Sequence, residues 1–233
     1  MRHFLITAIA LVFGFFGAIA LSYIPKELIA NSQLIRESPD EVISSESTEN
    51  NAVEVEGVRF EILVPERVWT IPPNEPDAET AVKIGIRITN NTQQAVRFTW
   101  LDPLMIMSLQ IIKPDGTAIK RQGGRDILLK SPQLACPLVL PGNSLTFFFD
   151  AKLYWLNNIL HLGGSDGLGG GWYFSSLEPN TYQVRLIYEN PYGVKACYDP
   201  ETINQETYVP DIVQGLWTGR AITPLLEVHI VEP

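Results

Sequence analysis

Two cysteines, three histidines and three methionines are all that the 233 residues contain of those types. Beyond the amino-terminal segment only His161 and His229 remain, and with two cysteines at no recognisable ligand spacing a zinc centre has nothing to be built from. Cys136 and Cys197 form no C-x-x-C pair, which excludes thiol redox chemistry of that type. Basic residues are also scarce, 17 against 26 acidic ones, for a net charge of −9. A nucleic-acid binder needs a basic face to displace counterions, so none is expected here. Helical periodicity is nearly missing as well. With 45% hydrophobic and 18% charged residues, wholesale disorder, coiled coils and disulfide-dense scaffolds are excluded.

The charge divides the chain into three. Residues 1–24 hold Arg2 and no acid. Residues 25–52 hold Lys26 and Arg36 against Glu27, Glu37, Asp40, Glu41, Glu46 and Glu49, which leaves a net −6 on residues 53–233. Phe4 to Ile24 is uncharged and follows a positive start, the pattern that directs export. Its length, about 30 Å as a helix, suits an uncleaved membrane anchor through residues 4–24. Ala18-Ile19-Ala20 equally suits a signal peptide cut after Ala20. Either outcome puts the remainder outside the cytoplasm, anchored in the first case and secreted or periplasmic in the second. Residues 25–52, rich in Ser, Glu and Asn, read as an acidic flexible linker that buries too little to offset the cost of ordering.

From Val53 the hydrophobic period becomes two. Val58, Phe60, Ile62 and Val64 alternate with Arg59, Glu61 and Leu63, and Val82, Ile84, Ile86 and Ile88 with Lys83, Gly85 and Arg87; Tyr182, Val184, Leu186 and Tyr188, then Leu226, Val228 and Ile230, follow the same period. Such runs, separated by Asn90-Asn91-Thr92, Pro114-Asp115-Gly116 and Pro141-Gly142-Asn143, predict antiparallel strands joined by turns. The one helix candidate is 151–162, where Leu153, Leu156, Ile159 and Leu160 can share a face. The fold class expected is all-β, an antiparallel sandwich of about seven to nine strands over 53–233.

Leu177-Glu178-Pro179-Asn180-Thr181-Tyr182-Gln183-Val184 resembles the L-x-P-G-T-Y-x-V signature of immunoglobulin-like and fibronectin-like sandwiches. The resemblance implies a tyrosine corner, with the Tyr182 hydroxyl bonding back to the turn before it. Over residues 81–189 the succession I-T-N-N-T, L-Q-I-I-K-P-D-G-T, L-P-G-N-S-L-T-F-F-F and L-E-P-N-T-Y-Q-V is similar to bacterial intracellular proteinase-inhibitor domains and their exported Ig-like relatives. That likeness implies an Ig-like fold and, as one functional alternative, proteinase inhibition through Lys120–Lys130.

Two cysteines in an oxidising compartment suggest a Cys136–Cys197 disulfide. Gly163-Gly164-Ser165-Asp166-Gly167 matches G-x-S-x-G, yet the glycines that follow cannot hold the helix a nucleophile elbow needs. Asp166 alone in that Gly-rich loop is too few acids for calcium. No catalytic residue, metal or cofactor is therefore expected, and no small-molecule ligand. Trp155, Trp172 and Tyr173 flank the insert and are the candidate contacts for a partner or a sugar ring. Trp100 and Trp217 read as packing residues. The expectation is an exported, non-enzymatic Ig-like module that binds a protein in the envelope or serves it structurally, recognising its partner through 151–173 and 190–215. The alternatives are a proteinase inhibitor and a carbohydrate-binding module.

Overall fold

The computed structural model describes residues 51–99, 101–126, 135–197 and 211–233. The export segment, residues 25–50 of the linker, Trp100, residues 127–134, which include the end of the Lys120–Lys130 loop, and residues 198–210 lie outside the described residues. Among the described residues no helix is long and apolar enough to cross a membrane.

The described residues form nineteen strands and no helix. Numbered in chain order, one sheet contains β1 (Ala52–Val55), β2 (Val58–Leu63), β5 (Gly85–Asn90) and β11 (Ser144–Phe148), all antiparallel, in the order β1-β2-β5-β11. The sheet begins one residue before the linker boundary read from the sequence, and Asn51 already bonds Glu61 Oε1 and Ile62 O, each at 3.1 Å. A second sheet is built around the longest strand, β15 (Asn180–Asn190). On one side β15 pairs with β7 (Met107–Ile112), which is followed by β8 (Ala118–Ile119). On the other it pairs with β19 (Leu226–Val231) and then β18 (Gly219–Ile222), while β3 (Val68–Thr70) runs parallel to β19 at the edge. Two ribbons complete this part: β6 (Val96–Arg97) with β10 (Leu138–Val139), and β16 (Val194–Cys197) with β17 (Asp211–Gln214).

The third sheet has five strands, ordered β4 (Glu79–Val82), β12 (Ala151–Leu156), β13 (Ile159–Ser165), β14 (Gly170–Ser175) and β9 (Gln122–Arg125). Two chain segments cross between it and the first sheet. The run Val82, Ile84, Ile86, Ile88 stays buried throughout, yet the chain leaves the third sheet after Val82 and enters the first at Gly85. Its partner does the reverse between β11 and β12. Gly85 is needed at this crossover, because a Cβ there would lie 2.4 Å from Phe147 O.

The strand count exceeds the expected seven to nine for two reasons. Long runs are broken at such crossovers, and the insert read at 151–173, with its possible helix over 151–162, lies within a three-stranded antiparallel meander over 151–175. Asn157 and Asn158, at φ 52° and 60°, make the two-residue turn of its first hairpin. That turn puts 151–162 into strands and overrides the weak helical spacing.

Residues from all three large sheets meet in one apolar core, with Phe60, Ile86 and Ile88 from the first, Leu109, Val184, Leu186 and Val228 from the second, and Leu153, Leu162 and Phe174 from the third. The architecture is thus an all-β, sandwich-like fold, compatible at this coarse level with an Ig-like one. Tyr182 is buried, and its hydroxyl donates to Glu178 O and accepts from Glu178 N–H, both at 3.1 Å. Cys136 and Cys197 are disulfide-bonded.

Candidate functional site

Period-two geometry gives the third sheet two unlike faces. Leu153, Leu160, Leu162, Trp172 and Phe174 point into the core. The opposite face is laid out by the register in three rows. One holds Glu79, Tyr154, His161 and Ser175; the next holds Lys152, Gly163, Tyr173 and Gln122; the third holds Ser165, Gly171 and Gly124.

Aromatic rings fill the first part of this face. Tyr154 and His161 are directly opposed and stacked, with centroids 5.3 Å apart at 18°, and Tyr173 lies 5.5 Å from His161 at 57°. His161 is consequently buried although it sits on the solvent side of the sheet. Its Nδ1 is 2.8 Å from Ile159 O. Tyr173 Oη donates to Gln122 Oε1 at 3.1 Å, and Gln122 Nε2 donates to Ser175 Oγ at 3.1 Å. Partial burial pushes the Tyr154 phenol above its ordinary value. Lys152 pairs with Glu79, and that hydrogen bond holds its ammonium above the usual lysine range.

Beyond Tyr173 the side chains stop. An open depression of about 490 Å³ lies there, walled by Tyr154 and Tyr173, rimmed by Asp150, Lys152 and Ser165, and floored by the backbones of glycines on β9, β13 and β14. Close approach of neighbouring backbones requires glycine at several positions here. A Cβ on Gly164 would lie 1.4 Å from Asp150 O, and one on Gly163 would lie 2.4 Å from Trp172 O. Gly123 combines a φ of 133° with a 2.2 Å approach to Gly171 O. Gly124 differs: its backbone is ordinary, and a Cβ there would meet nothing within 4 Å. Gly171 is intermediate, with one atom at 3.3 Å. What a side chain at either position would occupy is the depression itself.

A buried ion cluster holds the strands that make this floor. Arg125, at the end of β9, donates from both terminal nitrogens to the two oxygens of Asp102 at 3.0 Å and from Nε to Asp166 Oδ2 at 2.7 Å. Asp102 and Asp166 are 0% and 2% exposed, so both carboxylates depend on the partners they have here. Asp166 Oδ1 also accepts from Leu168 N–H and Gly170 N–H, each at 2.8 Å, and closes the β13–β14 turn. Burial alone would raise the Asp166 carboxyl, but these N–H groups and Arg125 hold it below the ordinary range.

The residues nominated from sequence fall into different places. Trp172 is 3% exposed and packs on Phe149 and Phe174, so it is a core residue and cannot stack on a ligand. Trp155 is half-buried against the core, and its indole donates to Pro72 O at 2.8 Å. Of the nominated trio only Tyr173 lines the depression with its ring on the open face. Trp217 joins Phe60, Phe98 and Tyr188 in the core. Ser165 accepts a hydrogen bond from Gly167 N–H at 2.9 Å in a hairpin turn rather than an elbow. His229, on β19, is 3.0 Å from Thr181 Oγ1. Within the Lys120–Lys130 stretch, Arg121 is tied to the carbonyls of Pro103 and Leu104, and Arg125 is in the ion cluster.

Sequence reasoning missed Tyr154, His161, Lys152 and Gly124. The available signal was parity: once 151–165 is two strands, residues 152, 154, 161, 163 and 165 share a face. Paired glycines at 123–124, 163–164 and 170–171 were a second signal, since glycine within strands marks close approach of another backbone or a ligand. No protein-family model matches the chain, and neither curated proteins nor solved structures provide a match.

Proposed function

We propose that this chain is an exported, non-enzymatic Ig-like module of the cell envelope, and that it binds its partner through the open face of the third sheet. The carrying observation is Gly124. Neither packing nor backbone conformation asks for glycine there, and a side chain would fill a depression that is otherwise walled by two tyrosines. Glycine within a strand weakens it, so an unforced one supports a face kept open for contact. The export reading draws support from the positive-then-apolar amino-terminal run together with the Cys136–Cys197 disulfide, a bond favoured outside the reducing cytoplasm. The Ig-like reading draws support from the Tyr182–Glu178 bonds at the start of β15 and from mainly antiparallel sheets that share one core. The inhibitor alternative gains nothing from Arg121 and Arg125, since both guanidinium groups are engaged internally.

The test is site-specific photocrosslinking of the full chain in the cells that make it. A photoreactive residue at Gln122, the hydrogen-bond partner of Tyr173, is expected to give an adduct, discrete with a protein partner and heterogeneous in mass with a polysaccharide, and one at Arg59, exposed on the first sheet, is expected to give none. No adduct at Gln122, or the same adduct from both positions, would overturn the assignment of the face.

A further inference from the structure

We infer that the depression accepts a pyranose unit of a polysaccharide, lying flat on the Gly124–Gly171 floor against the Tyr173 ring; this rests on the reading that this face is the binding face. Its volume of about 490 Å³ lies within the range of small-ligand sites. The floor is flat because its side chains are hydrogen atoms, which suits the C–H face of a sugar ring. Tyr173 and Tyr154 offer amphipathic walls, apolar on the ring and polar at the tip. Asp150, Lys152 and Ser165 at the rim supply an acceptor, a donor and a hydroxyl that is both, the mixture a polyhydroxylated ring needs.

Three other ligand classes fit less well. A phosphate or other strong anion would meet Asp150 beside Lys152, whose charge Glu79 already offsets. A lipid tail would meet no aliphatic side chain among the lining groups. An extended peptide lying across the floor would find no main-chain partners on β13 or β14, because each is already paired on both sides. Its own N–H and C=O groups would be desolvated against that floor and left unsatisfied.

The test uses the full chain and a panel of insoluble polysaccharides, namely cellulose, chitin, mannan and purified peptidoglycan, with soluble oligosaccharides and monosaccharides as competitors. Retention on at least one polymer is expected, with competition by its oligosaccharide stronger than by the free monosaccharide. Gly124→Leu, which meets no atom within 4 Å at its Cβ, is expected to lower affinity at least tenfold without lowering the thermal midpoint. Tyr173→Ala should lower affinity likewise, and Arg59→Ala should leave it unchanged. Retention on no polymer, or equal retention of Gly124→Leu, would overturn the sugar assignment. A protein adduct at Gln122 in cells with no polysaccharide binding would discard the sugar while keeping the face; no adduct and no binding would discard both.

Discussion

Arg125 is the residue on which most of the buried charge depends. Asp102 and Asp166 are almost completely enclosed, and Arg125 is hydrogen-bonded to both. Removing it leaves two desolvated carboxylates, the situation in which breaking a buried pair costs about 3–5 kcal/mol. Arg125→Met is therefore expected to lower stability to urea by that order, and a midpoint within error of the parent would refute the dependence. The pH sign follows from Asp166. Its carboxyl is held below the ordinary range in the folded chain, so its contribution is complete above the unfolded value of about 3.9 and is lost as pH falls through the lower folded value. Asp166→Asn should flatten the acid limb of the stability–pH curve below about pH 4 and leave its neutral-to-basic slope alone. Tyr182 makes a smaller contribution. Tyr182→Phe removes both bonds to Glu178, a loss of about 1 kcal/mol, read as a shift in the urea midpoint.

At the scale of elements, the same sheet holds two glycines with opposite expectations. A Cβ at Gly164 collides with the Asp150 carbonyl at the point where the chain passes from the first sheet into the third, whereas one at Gly124 meets nothing. Gly164→Ala should therefore destabilise strongly or prevent folding, and Gly124→Ala should hold the denaturation midpoint or raise it slightly; equal effects would remove the distinction on which the open floor rests. Much of this element layer could be read in advance. Alternation at 58–64, 182–188 and 226–230 marks real strands because each has one face in the core. Alternation across 82–88 also marks burial, but it could not reveal that the chain changes sheets midway, since both sheets bury the same parity. The meander was hidden for a different reason. Leu153, Leu156, Ile159 and Leu160 fit a helical stripe as well as two strands, and only the left-handed pair Asn157-Asn158 decides between them.

For the molecule as a whole, the site was less legible than the fold because aromatic residues were judged by type, and type does not say which face of a sheet they occupy. Trp172 and Tyr173 are neighbours, and one is core while the other is surface. The disulfide was legible, but not what it braces. Cys136 and Cys197 form a small apolar cluster with Leu168 and Leu216, separate from the main core, and Leu168 sits in the β13–β14 turn that Asp166 closes. The bond thus joins the stretch before β10 to the end of β16 and supports the hairpin that borders the depression. With the cysteines 61 positions apart, the chain-entropy account assigns the bond about 4 kcal/mol. The double substitution Cys136→Ser and Cys197→Ser should lower the urea midpoint accordingly and steepen the transition, since an untethered denatured chain exposes more surface. The parent under reductant should fall on the same curve as the double variant. Hydrogen exchange should quicken first at Leu168 and Gly170, ahead of β15 in the main core, because local stability there rests on a cluster of few residues. A double variant with the parent's midpoint, or one that loses β15 protection as early as the turn, would separate the disulfide from the support of this face.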